Sequence, residues 1–137
     1  VSITRQARTT EARTETGETE MGRKSVVPYA LYRAEGYVSA SLANKVTKLS
    51  EEDLELLWTA IVNMFENDHS AARGKMCMRK LYVFKHSNVL GNCPSHILFD
   101  KIQVDLKKQE EPPRKFADYQ ITVEGQMPEG VELIEKL

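Results

Sequence analysis

The chain has 137 residues, 41% hydrophobic and 28% charged, with a formal net charge of −1, an ordinary soluble composition for one domain. That near-neutral balance excludes a protein that is globally basic, so a nucleic-acid role has to rest on where the charges sit. No apolar run approaches the ~20 residues of a membrane-spanning helix, and two cysteines are too few for a disulfide framework, which points to a reducing, cytoplasmic setting.

In chain order, residues 1–22 are rich in Thr, Glu and Arg. Such a segment buries too little apolar surface to offset its ordering entropy and reads as flexible. Within it "SITR" has the pattern of a short strand, and "TTEARTETGETEMG" reads as a mobile loop. The start, "VSITRQARTT", has no apolar core of a signal peptide. Residues 25–40 read as a strand, bent at Gly36 and at an edge near Pro28, which has no donor for a ladder. One face is mostly small (Val26, Pro28, Ala30, Ala34, Gly36, Ala40). The other carries Tyr29, Leu31, Arg33, Glu35, Tyr37 and Ser39.

"SEEDLELLWTAIVNMFEND" is the clearest element. Ser50 is a natural N-cap, Asp53 completes a capping box, and Glu51 and Glu52 suit the positive end of the helix dipole. Leu54, Leu57, Trp58, Ile61, Met64 and Phe65 form one apolar stripe, so a helix is predicted over 51–67, seated on the small face of the first strand. Beyond it, "RKLYVFKH" and "KIQVDL" read as strands and "PSHILFDKI" holds one helical turn. The two prolines of "EEPPRK" break the chain, "DYQITVEG" is a strand, and "VELIEKL" is a short tail element. The order implies an α+β domain over 23–137, a partial ferredoxin-like (RRM-like, RAMP-type) antiparallel sheet with one main amphipathic helix on one face.

The charges are segregated. From His69 to Phe99 there is no Asp or Glu, while Arg73, Lys75, Arg79, Lys80, Lys85 and all three histidines lie there. A second acid-free run, Met21 to Ala34, holds Arg23, Lys24 and Arg33. Basic side chains that converge neutralise phosphates, and aromatics such as Tyr29, Tyr37, Tyr82 and Phe84 among them offer stacking platforms for single-stranded RNA. The competing reading is that loop cations are merely solvated and strand aromatics fill a core.

Other chemistry is weaker. Cys77, His86, Cys93 and His96 include one C-x-x-H spacing but no paired C-x-x-C, so no metal site and no cofactor is expected. A histidine such as His69 or His86 is chemically able to act on a 2′-hydroxyl, yet no spacing marks one as a general acid or base. "EGQMPEG" is a turn that lacks the phosphate-loop pattern.

Several blocks in order, "MGRKSVVPYALYRAEGYVSASLA", "SEEDLELLW", "NMFENDHSAARG", "KLYVFKH", "LGNCPSHILFD", "PPRKFADY" and "PEGVELIEKL", resemble the C-terminal half of the CRISPR-associated RAMP backbone subunit of the type I-C surveillance complex, Cascade. The resemblance covers residues 2–137. It implies a modified ferredoxin-like core stacked in several copies along a guide RNA. It also implies backbone contacts, a thumb-like hairpin that interrupts guide–target pairing, and binding without cleavage. The partners implied are the CRISPR guide RNA, further copies of the chain, other Cascade subunits and, through guide pairing, target DNA. A family member is about twice this length, so the resemblance makes this chain a fragment. It departs from the family pattern at Ala30, where Gly is expected, and at Glu35, where His is expected.

Charge and strand placement nominate Arg23, Lys24, Arg33, Arg73, Lys75 and Lys85 as phosphate contacts and Tyr29 as a stacking residue. Glu35, near Arg33, is positioned to pair with it and weaken a phosphate contact. The alternative from another class is a structural assembly module, whose exposed aromatics serve copy-to-copy packing while RNA contacts belong to an N-terminal half.

Overall fold

The computed structural model describes residues 2–7, 19–23, 25–69 and 74–137. They divide into two compact units, Val1–Leu31 and Tyr32–Leu137. In the first, β1 (Ser2–Ala7) pairs antiparallel with β2 (Thr19–Arg23), Ser2 opposite Arg23 and Ala7 opposite Thr19, with an irregularity between Ile3 and Gln6. The strand expected at "SITR" forms and runs on to Ala7, whereas residues 19–22 of the stretch expected to be a mobile loop belong to β2, and the rest of that stretch lies outside the described residues.

The strand expected over residues 25–40 does not form: residues 25–39 have no helical or strand pairing. The reason is visible in the sequence. Pro28 removes a ladder donor, Gly36 weakens extended pairing, and the even-numbered positions include Tyr32 and Val38 beside the small residues, so the alternation is not clean. Tyr32 is 83% and Val38 48% exposed. The seat proposed for the long helix is thus absent.

In the second unit a short helical turn α1 (Ala40–Leu42) is capped by Ser39, whose hydroxyl accepts from the Leu42 N–H. A π turn (Ala43–Thr47) follows and closes on Lys48 at φ 58°, where the Leu49 N–H returns to the Ala43 carbonyl. Sequence patterning gives no signal for either, because neither buries an apolar face.

Helix α2 spans Glu51–Asn67, the span expected from its periodicity. The Asp53 N–H donates to Ser50 Oγ at 3.1 Å, and Asp53 Oδ2 accepts from the Ser50 N–H at 2.9 Å. Two orphan donors of the first turn are thereby satisfied. The Ser50 N–H, and next its hydroxyl, hold the Asp53 carboxyl below its ordinary value of 3.8. No residue of α2 is fully buried: Trp58, Ile61 and Phe65 are half-covered, while Met64 is 45% exposed.

The remaining strands are β3 (Tyr82–His86), β4 (Ile102–Leu106), β5 (Tyr119–Val123) and β6 (Val131–Glu135). A five-residue helix, α3 (Ser95–Phe99), precedes β4, and a tight helical turn (Phe116–Asp118) precedes β5. β3 pairs antiparallel with β6, Tyr82 opposite Glu135 and His86 opposite Val131. β4 pairs antiparallel with β5, Ile102 opposite Val123 and Leu106 opposite Tyr119. The chain is α+β with small antiparallel sheets and few helices, an arrangement compatible with a partial ferredoxin-like, RAMP-type fold. Among the described residues the strands form three two-stranded ladders.

The core is centred on α3 and the strand ends beside it. Leu98 is 1% exposed, and Ile102 and Val131 are buried. Phe99 meets Phe84 edge-on at 6.2 Å and Tyr37 at 5.6 Å, both geometries that aromatic quadrupoles favour. Alternation along β3 puts Tyr82, Phe84 and His86 on the side facing this cluster and Val83 and Lys85 on the other. On β6 and its extension, Glu132, Ile134 and Lys136 share the Lys85 side by the same alternation. Lys136 donates to the Glu55 carboxylate at 2.8 Å, which ties the first turns of α2 to the end of β6.

Candidate nucleic-acid interface

The nominated residues fall in different places. Arg23 lies on β2, in the first unit, and Tyr29 is a half-buried residue of the same unit. Lys24 and Arg73 lie outside the described residues. Arg33, Lys75 and Lys85 belong to the second unit.

Arg33 is engaged in the fold. Its guanidinium donates to the Ile102 carbonyl at 2.9 Å and to the Phe99 carbonyl at 2.6 Å, and the same group pairs with Glu35 at 2.9 Å. The two carbonyls belong to the end of α3 and the start of β4, where the last turn of a helix leaves acceptors unfilled. A cation there also complements the negative end of the peptide dipoles. The pairing with Glu35 is the one expected from the sequence. The contact between Arg33 and Phe99 joins the tip of one acid-free run to the end of the other.

Tyr37, expected to face outward, is 75% exposed. It leans one ring edge on Phe99 and sets its hydroxyl 3.4 Å from Ser95 Oγ. Phe84 is half-covered and committed to Phe99, so it is a packing residue rather than an open stacking platform.

Lys75 and Lys85 are exposed, and neither has an ion-pair partner among the described residues. Lys85 projects from β3 opposite Glu132. Lys85, His86, Ser87, Gly130, Val131 and Glu132 line an open depression of about 300 Å³ at this end of the β3–β6 ladder. Its rim is a well-ordered turn. The Asn92 N–H donates to His86 Nδ1 at 2.9 Å, which leaves Nε2 as the ring's other hydrogen-bonding atom. Asn92 Oδ1 accepts from the Asn88 N–H at 3.1 Å, and Asn88 Oδ1 accepts from the Leu90 N–H at 2.9 Å. The Ser87 N–H donates to the Gly130 carbonyl at 2.9 Å. Gly130 has φ 76° and no room for a side chain, since a Cβ there would stand 2.3 Å from Asn92 Nδ2.

Lys80, by contrast, is paired with Glu135, which raises its pKa above the ordinary 10.5. Cys77 and Cys93 are free thiols. Among the described residues no three His, Cys, Asp or Glu side chains converge as metal ligands, and no described helix is long and apolar enough to cross a membrane.

The sequence reading overlooks one cluster. Arg79 lies over the ring of Phe116 at 4.4 Å, and Arg114 and Lys115 immediately precede that residue in the chain. The signal is there in "PPRKF", a basic pair beside an aromatic, but it lies outside the acid-free runs.

With this geometry in place, the chain can be compared with known families. The model of the CRISPR-associated protein Cas7 family matches residues 1–124, nearly the whole chain, and the chain belongs to that family. No curated protein matches the chain.

Proposed function

We propose that the chain is a guide-RNA-binding backbone subunit of a type I-C surveillance complex, non-catalytic, gripping the phosphate backbone within a filament of like copies. Membership of the Cas7 family is the observation that carries this reading, since it makes the chain part of a guide-containing complex. The type I-C assignment rests on the ordered sequence blocks. Lys75 and Lys85, exposed and with no ion pair among the described residues, are two of the cations open to neutralise phosphates, with Arg23, Lys24 and Arg73 as further contacts and Tyr29 as the stacking residue. Arg33 orders the α3–β4 junction, and a phosphate there competes with Glu35. Point-charge contacts of this kind are sequence-independent, as a subunit that holds any guide requires.

The test is guide affinity of the intact protein with Lys75→Gln and Lys85→Gln, measured on guides of unrelated spacer sequence. Binding should weaken by the same factor for each. A loss confined to one spacer, or none at all, contradicts the proposal.

A second reading, an assembly module, is favoured by one observation: the α2 stripe is only half covered, with Leu57 38% exposed, and Leu56 beside it is more open still. If copy packing is the main role, substituting Leu57 and Met64 with Gln disrupts assembly while guide affinity per copy persists.

A further inference from the structure

We propose that the Phe116 turn carries a second phosphate-binding site, for single-stranded nucleic acid, distinct from the Lys85 end of the β3–β6 ladder. Three separate stretches of chain build it. Arg79 comes from the segment before β3, Lys107 from the end of β4, and Arg114 and Lys115 from the turn itself. The Arg79 guanidinium lies 4.4 Å from the centre of the Phe116 ring, and one of its nitrogens donates to Cys77 Sγ at 3.4 Å. A guanidinium seated over an aromatic face is held in place while its remaining N–H groups stay open, and a planar fork of that kind takes a phosphate with two parallel bonds. Arg79 has no ion-pair partner among the described residues.

The turn is hydrogen-bonded where the cations stand. Asp118 Oδ2 accepts from the Arg114 N–H at 2.9 Å and from the Lys115 N–H at 3.1 Å. Lys107 Nζ donates to the Ala117 carbonyl at 2.9 Å, and the Lys107 N–H to the Asp118 carbonyl. Asp118 is thereby committed to the backbone, and the Arg114 N–H, then the Lys115 N–H and the two lysine charges, keep its carboxyl ionised below its ordinary value. The Arg114 and Lys115 side chains remain exposed and unpaired among the described residues. Of the nearby acids, Glu111 is paired with Lys108, leaving Glu110 as the opposing charge in the loop. Arg79, Arg114 and Lys115 are thus the exposed cations beside one committed carboxylate, with Lys107 anchored to the Ala117 carbonyl.

The site is separate from Lys85. Arg79 and Lys85 are six residues apart along an extended segment, roughly 20 Å at strand spacing, and Leu81 continues the β3–β6 pairing through Leu137 and Lys136. A single strand that is not the guide has the repeating phosphates this patch fits.

The experiment uses the intact, guide-loaded protein and labelled single strands of deoxythymidine and of uridine, titrated across a salt series. The variant carries Arg79→Gln, Arg114→Gln and Lys115→Gln. The strand affinity should fall about tenfold or more, and the slope of log affinity on log salt should flatten by about 2, at ~0.7 for each single-strand phosphate no longer neutralised. Retained guide, quantified in the same samples, should not change. Arg79→Lys, which keeps the charge but not the planar fork, should leave the slope nearly intact while weakening binding. The two strand chemistries show whether DNA or RNA is taken. An unchanged slope, or guide release in step with strand release, overturns the proposal. Failure of the lysine-based guide reading alone leaves these readouts unaffected.

Discussion

Arg33 donates to the Phe99 carbonyl at 2.6 Å across 66 residues of chain. With its second bond to Ile102, this places a fixed cation at the C-terminal end of α3 and fastens the segment after Tyr32 to the core. Arg33→Gln should destabilise the second unit by about 1–3 kcal/mol, because hydrogen bonds from a charged donor to otherwise open carbonyls are worth about that much. Urea unfolding monitored by Trp58 fluorescence measures it. A midpoint unmoved by the substitution would show the bonds to be dispensable.

The Gly130–Asn92 contact makes a second case. Gly130→Ala introduces a Cβ 2.8 Å from both Asn92 Cγ and Ser87 Oγ at a backbone φ of 76°. The left-handed backbone alone costs a non-glycine residue about 1–2 kcal/mol, and the turn over 87–92 has to shift besides. The expected outcome is lower stability together with weaker amide protection at Asn92, whose N–H is held by His86 Nδ1. Unchanged exchange at that amide would rule out the coupling.

The cap of α2 offers a third. Ser50→Ala removes the hydroxyl that accepts the Asp53 N–H and should cost about 1 kcal/mol, as removal of an N-cap does. The pH dependence has a definite sign. Asp53 and Asp118 both have folded-state pKa values below the ordinary 3.8. Their contribution is therefore present in full above the unfolded carboxylate range and disappears as pH falls through the folded values. Asp118→Asn should make acid unfolding less steep below the usual carboxylate pKa. If the acid limbs of the wild type and variant superimpose, Asp118 carries no such linkage.

The legibility of the chain follows from which interactions are local. Helix α2 is readable to its ends because its cap, dipole charges and stripe all lie within one continuous stretch. β4 and β5 are readable from alternation around the "EEPPRK" break. The segment 25–39 is not, since its fate depends on Arg33 and Tyr37 finding Phe99 and Ser95 some sixty residues away, which no local period encodes. Of the nominated residues, Lys75 and Lys85 are exposed and have no ion pair among the described residues, while the pairing of Arg33 with Glu35 is legible locally and its bonds to Phe99 and Ile102 are not. The partnership of Arg79 with Phe116 joins two segments 37 positions apart in the chain, and charge runs alone do not reveal it.

The salt dependence of guide binding reads the central claim most directly. With Lys75→Gln and Lys85→Gln in the intact protein, each guide phosphate deprived of its lysine should lower the slope of log affinity against log salt by ~0.7, about 1.4 for the pair. A doubly substituted protein whose slope equals that of the wild type would show that neither lysine meets the guide.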